Sequence, residues 1–259
     1  MRPIAKPHLT IVDRPCGSGK TTQFIKSFES DNRYLVVTPL LSEVQRIKDQ
    51  AAIEFHEPET TDTAANKTES LEQLLAEGLN VVTTHALFAD DYHIIIDEVL
   101  DVCHQVNGKS PRSFQRIYCQ NGYTKVDKTG KVRPTPIWDA EHEAIKDTLS
   151  LNLYRLANAG MLYVVEDTFF MWVLPEELLR AGRSITIYTY LAEGSLLSAY
   201  LRKLGIPYAH DVDPDVDLEF RRKAKELITV EQIPSLAKAH FSPVKKAVGL
   251  EWLRRSAVP

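Results

Sequence analysis

The sequence predicts an α/β fold: a mostly parallel central sheet with helices on both faces and an inserted hairpin and helix segment. Three observations predict it. Short, near-continuous Val/Ile runs recur, as in "RYLVVTPL" and "YHIIIDEVL", and such runs suit strands buried on both faces. Stretches of helical periodicity separate them. A glycine loop joins the first apolar run to the first helical stretch.

The elements follow in order. "HLTIVD" reads as a strand and "KTTQFIKSFES" as a helix that starts at the glycine loop. "RYLVVTPL" is a second strand, and "SEVQRIKDQAAIEF" a second helix with Ser42 as its N-cap. The polar stretch "HEPETTDTAANKT" is a loop, and "SLEQLLAEG" a short helix stopped by Gly78. "NVVTTHALF" and "YHIIIDEVL" are strands. Residues 101–160 then break the rhythm. There, "YTKVDKTGKVRP" reads as an exposed hairpin and "WDAEHEAIKDTLSLNLYRLANAG" as one helix ending at Gly160. "MLYVVEDTFFMWVLP" is two strands across a turn, "SITIYTYL" a strand and "SLLSAYLRKLG" a helix. The Lys/Arg-rich end breaks into short pieces at Pro234 and Pro243.

Composition bounds the function without naming it. A chain of 259 residues can bury a sizeable core. A net charge of -4 excludes a basic nucleic-acid coat but leaves room for a local basic groove. No run approaches the ~18 apolar residues of a membrane span, and "MRPIAKPHLTIVD" lacks a signal-peptide core. Cys16, Cys103 and Cys119 are odd in number and form no CxxC pair, so neither a disulfide framework nor a zinc site is indicated. A reduced cytoplasmic setting is expected.

The chemistry concentrates in "IVDRPCGSGKTTQF". Strand, glycine loop, Gly-Lys-Thr and helix make the P-loop arrangement. A triphosphate carries several negative charges, and backbone N–H groups of a glycine loop wrap them without steric conflict. The ATP-binding residues are therefore Arg14, Pro15, Cys16, Gly17, Ser18, Gly19, Lys20, Thr21 and Thr22. Lys20 supplies a point charge for the β and γ phosphates, and Thr21 a hydroxyl for Mg²⁺. Arg14 stands where the consensus has a small residue. "HIIIDEVLD" puts Asp97 and Glu98 at the end of a buried strand. Asp97 then holds Mg²⁺ through water, and Glu98 polarises the attacking water.

At these residues the chain resembles the first RecA-like domain of superfamily two helicases and translocases, the DEAD/DEAH type. "RPCGSGKTT" is similar to motif I, "VVTPLLSEVQRI" to motif Ia, "VVTTHALF" to motif Ib and "IIIDEVLD" to motif II. "TIYTYLAEGS" stands where motif III would be. The resemblance implies a RecA-like P-loop ATPase that hydrolyses Mg-ATP in response to DNA or RNA. It makes Lys20, Asp97 and Glu98 catalytic, with Thr21 and Asp97 on the metal. It lays Thr38, Pro39, Thr83, Thr84 and His85 along the nucleic-acid track, and gives Thr189 and Tyr190 the coupling of ATP to that track. Ordinary polar strand ends would look the same at Thr83, Thr84 and His85. The family closes ATP against a second RecA-like domain or subunit that brings an arginine finger. Residues 1–212 are accordingly expected to be the ATP-binding domain, and 213–259 a basic extension toward that missing half. The overall character is closest to a phage or mobile-element protein.

Basic residues interleave with Phe114, Tyr118 and Tyr123 between Lys109 and Arg133. That pattern suits single-strand binding. It equally suits a solvated hairpin whose aromatic rings anchor it to the core. Trp172 and Trp252 read as packing residues, and His56, His142 and His210 lack metal-ligand spacing. Three rival functions stay open: a nucleoside kinase of the thymidine kinase type, a viral packaging motor ATPase, and a non-catalytic ATP-binding module.

Overall fold

The computed structural model describes residues 8–59, 67–84, 89–98, 100–106, 111–145, 150–165 and 169–229. In chain order, β1 (Leu9–Asp13), α1 (Lys20–Lys26), β2 (Tyr34–Val37) and α2 (Leu41–Gln50) come first. Then follow α3 (Lys67–Ala76), β3 (Val81–Thr83) and β4 (His93–Asp97). An excursion holds β5 (Cys103–Val106), α4 (Pro111–Phe114) with a π-helical turn (Gln115–Cys119), β6 (Thr124–Val126) and β7 (Val132–Pro134). It continues through α5 (Pro136–Glu141), α6 (Leu151–Asn158), β8 (Leu162–Val165), β9 (Phe169–Val173) and a 3-10 turn (Glu176–Arg180). β10 (Ser184–Thr189), α7 (Leu196–Leu204), β11 (Tyr208–Val212) and α8 (Pro214–Leu227) close the described chain. It divides into two compact units, residues 1–213 and 214–259.

The central sheet has six strands in the order β11-β1-β10-β4-β2-β3, and every pair is parallel. Alternation along each strand sorts side chains to two faces. Ile11, Leu35, Ile94 and Ile187 pack with α3 and α7 on one face. Val12, Val36, Ile95 and Tyr188 pack with α1 and α2 on the other. The neighbouring strands β1 and β10 therefore send their helices to opposite faces. Such a switch point opens a crevice beyond the carboxyl ends of the strands, where ligands bind in open α/β sheets.

The excursion forms its own antiparallel sheet, β5-β9-β8, and the β6–β7 hairpin. It is longer than the expected 101–160, because β8 and β9 belong to this second sheet rather than to the main one. A separate aromatic core supports it, with Phe114, Tyr118, Trp138, Tyr154 and Phe170 buried together. Phe114 and Tyr118 are thereby unable to stack on bases, so the anchoring reading of those rings holds. Nor does the hairpin stand free. The Val164 N–H donates to the Gly130 carbonyl at 2.8 Å, and Lys131 bridges to Tyr163 on β8.

Two helix expectations need correction. Ser42 lies inside α2, whose N-cap is Leu40 without a side-chain cap. The long helix expected to end at Gly160 is two helices, α5 and α6. Ser150 caps α6 by accepting from the Leu153 N–H at 3.3 Å. In the second unit, α8 buries no residue. Its basic residues pair within the helix, Arg221 with Asp217 at 2.8 Å and Lys223 with Glu219 at 2.7 Å. The solvated helix face therefore describes them. Trp252, Pro234 and Pro243 lie outside the described residues.

Candidate functional site

The ends of β1, β10 and β4 bring the sequence-predicted residues together. Arg14 to Gly19 form the loop after β1, and Gly17 and Gly19 take left-handed φ of 77° and 84°. A Cβ added at either glycine would meet nothing within 4 Å, so the loop borders open space. Lys20 folds across its mouth, where Nζ donates to the carbonyls of Arg14 at 2.8 Å and Thr189 at 3.2 Å. The Arg14 N–H donates to the same Thr189 carbonyl at 2.9 Å, tying the loop to β10. The Arg14 side chain points to β11, 3.1 Å from Asp211. Pro15 is buried, while Cys16 and Ser18 are exposed.

Asp97 faces α1 because the pleat puts it on the same side as Ile95. The Thr21 hydroxyl donates to Asp97 Oδ2 at 3.1 Å. Burial raises the Asp97 carboxyl above its ordinary range, against the Thr21 hydrogen bond and the Lys20 charge. A hydroxyl and a buried carboxylate are hard oxygen donors, the set Mg²⁺ prefers, so the residues fit that ion. Glu98 is exposed and adopts φ 92°, a strained position for a non-glycine residue. Its N–H is fixed on the Tyr188 carbonyl at 2.8 Å. The Tyr188 phenol beneath is pushed up to about 12, by burial first and then by Asp211 and Asp97.

The predicted track residues lie at the ends of the neighbouring strands. The Thr38 N–H donates to the Thr83 carbonyl at 3.0 Å, joining the ends of β2 and β3. Thr38 and Thr83 are buried, Thr84 is half-buried and Pro39 is exposed. Thr38, Pro39 and Thr84 face Met161, Trp172 and Leu178 of the excursion across a cavity of about 400 Å³. Asp97 and Glu98 border the same cavity. His85 lies outside the described residues. Thr189 is buried and Tyr190 half-buried, where β10 leaves the sheet.

Three residues take parts that sequence reasoning missed. Asp13 accepts from the N–H groups of Leu191 at 2.8 Å and Ala192 at 2.9 Å, and lies 3.1 Å from His210 Nε2. Arg46 of α2 donates to the Thr22 hydroxyl at 2.6 Å and pairs with Glu43 at 3.1 Å. Trp172 borders the cavity instead of only filling a core. Asp13 alone carried a signal, as a carboxylate ending a buried strand like Asp97. Among the described residues no cluster of three or more His, Cys, Asp or Glu could hold a metal. None of their helices is long and apolar enough to cross a membrane.

No protein-family model matches the chain, and no solved structure matches it. It is similar to the SPbeta prophage-derived uncharacterized protein YonV of Bacillus subtilis strain 168. The two are 27% identical over 226 residues, covering 76% of this chain and 52% of that protein. The chain thus spans about half the length of the curated relative it matches.

Proposed function

We propose that this chain is a RecA-like P-loop ATPase domain that works on a nucleic-acid strand. The observation that carries the reading is the Thr21 hydroxyl 3.1 Å from Asp97, beside Lys20 at the mouth of the glycine loop. Phosphate, metal and water-activating groups converge there from segments far apart in sequence. Gly17 and Gly19 leave room for main-chain N–H groups to wrap a phosphate chain. Lys20 exchanges two backbone carbonyls for the β and γ phosphate oxygens. Thr21 and Asp97 hold Mg²⁺, which when bound neutralises charge developing on the phosphates. Glu98 orients the attacking water and accepts its proton. Thr38, Pro39 and Thr84 border the same cavity as the acidic pair, and in this reading they touch the strand. Similarity to a prophage protein agrees with a mobile-element origin.

Mg-ATP hydrolysis should be measured with no polymer, single-stranded DNA, duplex DNA and RNA, beside a Lys20→Ala variant. Polymer-stimulated turnover absent from Lys20→Ala is the expected result. ATP bound equally well by both proteins would overturn the phosphate site. The cavity beside Glu98 favours one second reading, a nucleoside kinase with its acceptor seated there. Turnover driven by a free nucleoside and indifferent to polymer would select it.

A further inference from the structure

We propose that the cavity between the central sheet and the excursion is a nucleobase site, filled by a base turned out of the strand. The strand as its source rests on the function proposed above; the base chemistry does not. Size comes first. At about 400 Å³ the cavity lies at the small end of ligand pockets. That suits a base with part of its sugar.

The lining decides the chemistry. Val37, Ile96, Leu100 and Leu174 are buried apolar side chains and make an oily floor. Among the described residues no lysine or arginine lines the cavity, while Asp97, Glu98 and Asp101 do. Phosphate is therefore repelled, and a neutral group with N–H donors is welcome. Thr38 supplies the second, independent observation. It is 1% exposed, and its hydroxyl oxygen is buried with no hydrogen-bond partner among the described residues. An unpaired buried hydroxyl is a standing penalty that a ligand N–H or ring nitrogen would remove. Trp172 makes a preset flat wall. His104 stacks on it at 4.9 Å, and its indole N–H donates to the Met161 sulfur at 3.2 Å. A planar, apolar-faced, amine-bearing group matches every side of this lining.

Position gives the site a use. Glu98 borders the cavity from a strained backbone with φ 92°. A seated base would touch the residue that orients water at the phosphate site. Strand occupancy would thus reach hydrolysis through one side chain.

The test measures binding of three probes to the full chain. These are a mixed-sequence single strand, made as DNA and as RNA; the same strand with every base removed; and free adenosine and cytidine. Wild type is compared with Leu178→Trp, which fills the cavity, and Thr38→Val, which removes the hydroxyl. Circular dichroism checks that both variants fold. The intact strand is expected to bind about tenfold tighter than the abasic one, the scale of one well-stacked base. Leu178→Trp should erase that gap without changing abasic binding, and Thr38→Val should narrow it. Equal binding of intact and abasic strands with no nucleoside binding overturns the site, as does a gap that survives Leu178→Trp. If neither strand binds but a nucleoside does, and Leu178→Trp abolishes it, the base site stands and the polymer reading falls. If no probe binds, both fall.

Discussion

Burial holds the Asp97 carboxyl above its ordinary range, so its ionisation opposes folding. The folded protein keeps the proton at pH values where the unfolded chain has lost it. Stability then falls as pH rises from the ordinary carboxylate range, near about 4, through the folded value. Asp97→Asn keeps an acceptor for Thr21 and removes the charge. It should melt higher than wild type at neutral pH, with the difference closing on acidification, and should lose Mg²⁺-dependent ATP binding. A melting series against pH checks this; a variant less stable at neutral pH would contradict it. The meeting of Lys20, Thr21 and Asp97 was legible in the sequence because each sits in a short segment whose strand-and-loop order places it at the same sheet end. The Arg46–Thr22 and Arg14–Asp211 contacts were not, since each joins segments whose proximity only the folded sheet creates.

At the scale of elements, the parallel strands were legible because two-sided burial writes continuous Val/Ile runs. The second sheet was not. β5 reads "CHQV", with two exposed residues in four, and carries no pattern strong enough to announce a strand. Helices α5 and α6 were merged because Ser150 caps α6 within a stretch that otherwise reads as continuous helix. β11 was missed because "YAHDV" is a solvent-facing edge with no buried position. The β6–β7 hairpin shows how tightly the excursion is assembled. Gly130 has φ 82°, and a Cβ there would collide with the Val164 carbonyl oxygen of β8. Gly130→Ala should therefore cost about 2–3 kcal/mol, combining left-handed strain with the clash. Urea denaturation measures it; a loss under about 0.5 kcal/mol, the range of ordinary surface changes, would mean the hairpin is not docked.

For the whole molecule, ligand binding and folding are linked. A triphosphate that binds only the folded chain stabilises it by about 2.7 kcal/mol at a hundredfold excess over Kd. In a protein of this size that is a rise in Tm of about 5–10 °C. Mg-ATP should produce it in wild type and not in Lys20→Ala, read by thermal melting. An equal rise in both would place the nucleotide elsewhere.

The position of β10 has a consequence for how this molecule comes into being. It is the fifth of the six central strands to be synthesised, yet it lies between β1 and β4. Lys20, Thr21 and Asp97 leave the ribosome early, on strands with an empty slot between them. They come into register only when β10 enters that slot, after the whole excursion has been made. Until then two long-range edges stand open, the condition that slows folding and invites wrong partners. A nascent chain stopped short of Thr189 would carry both the glycine loop and the Asp97–Glu98 pair without the strand that holds them in register.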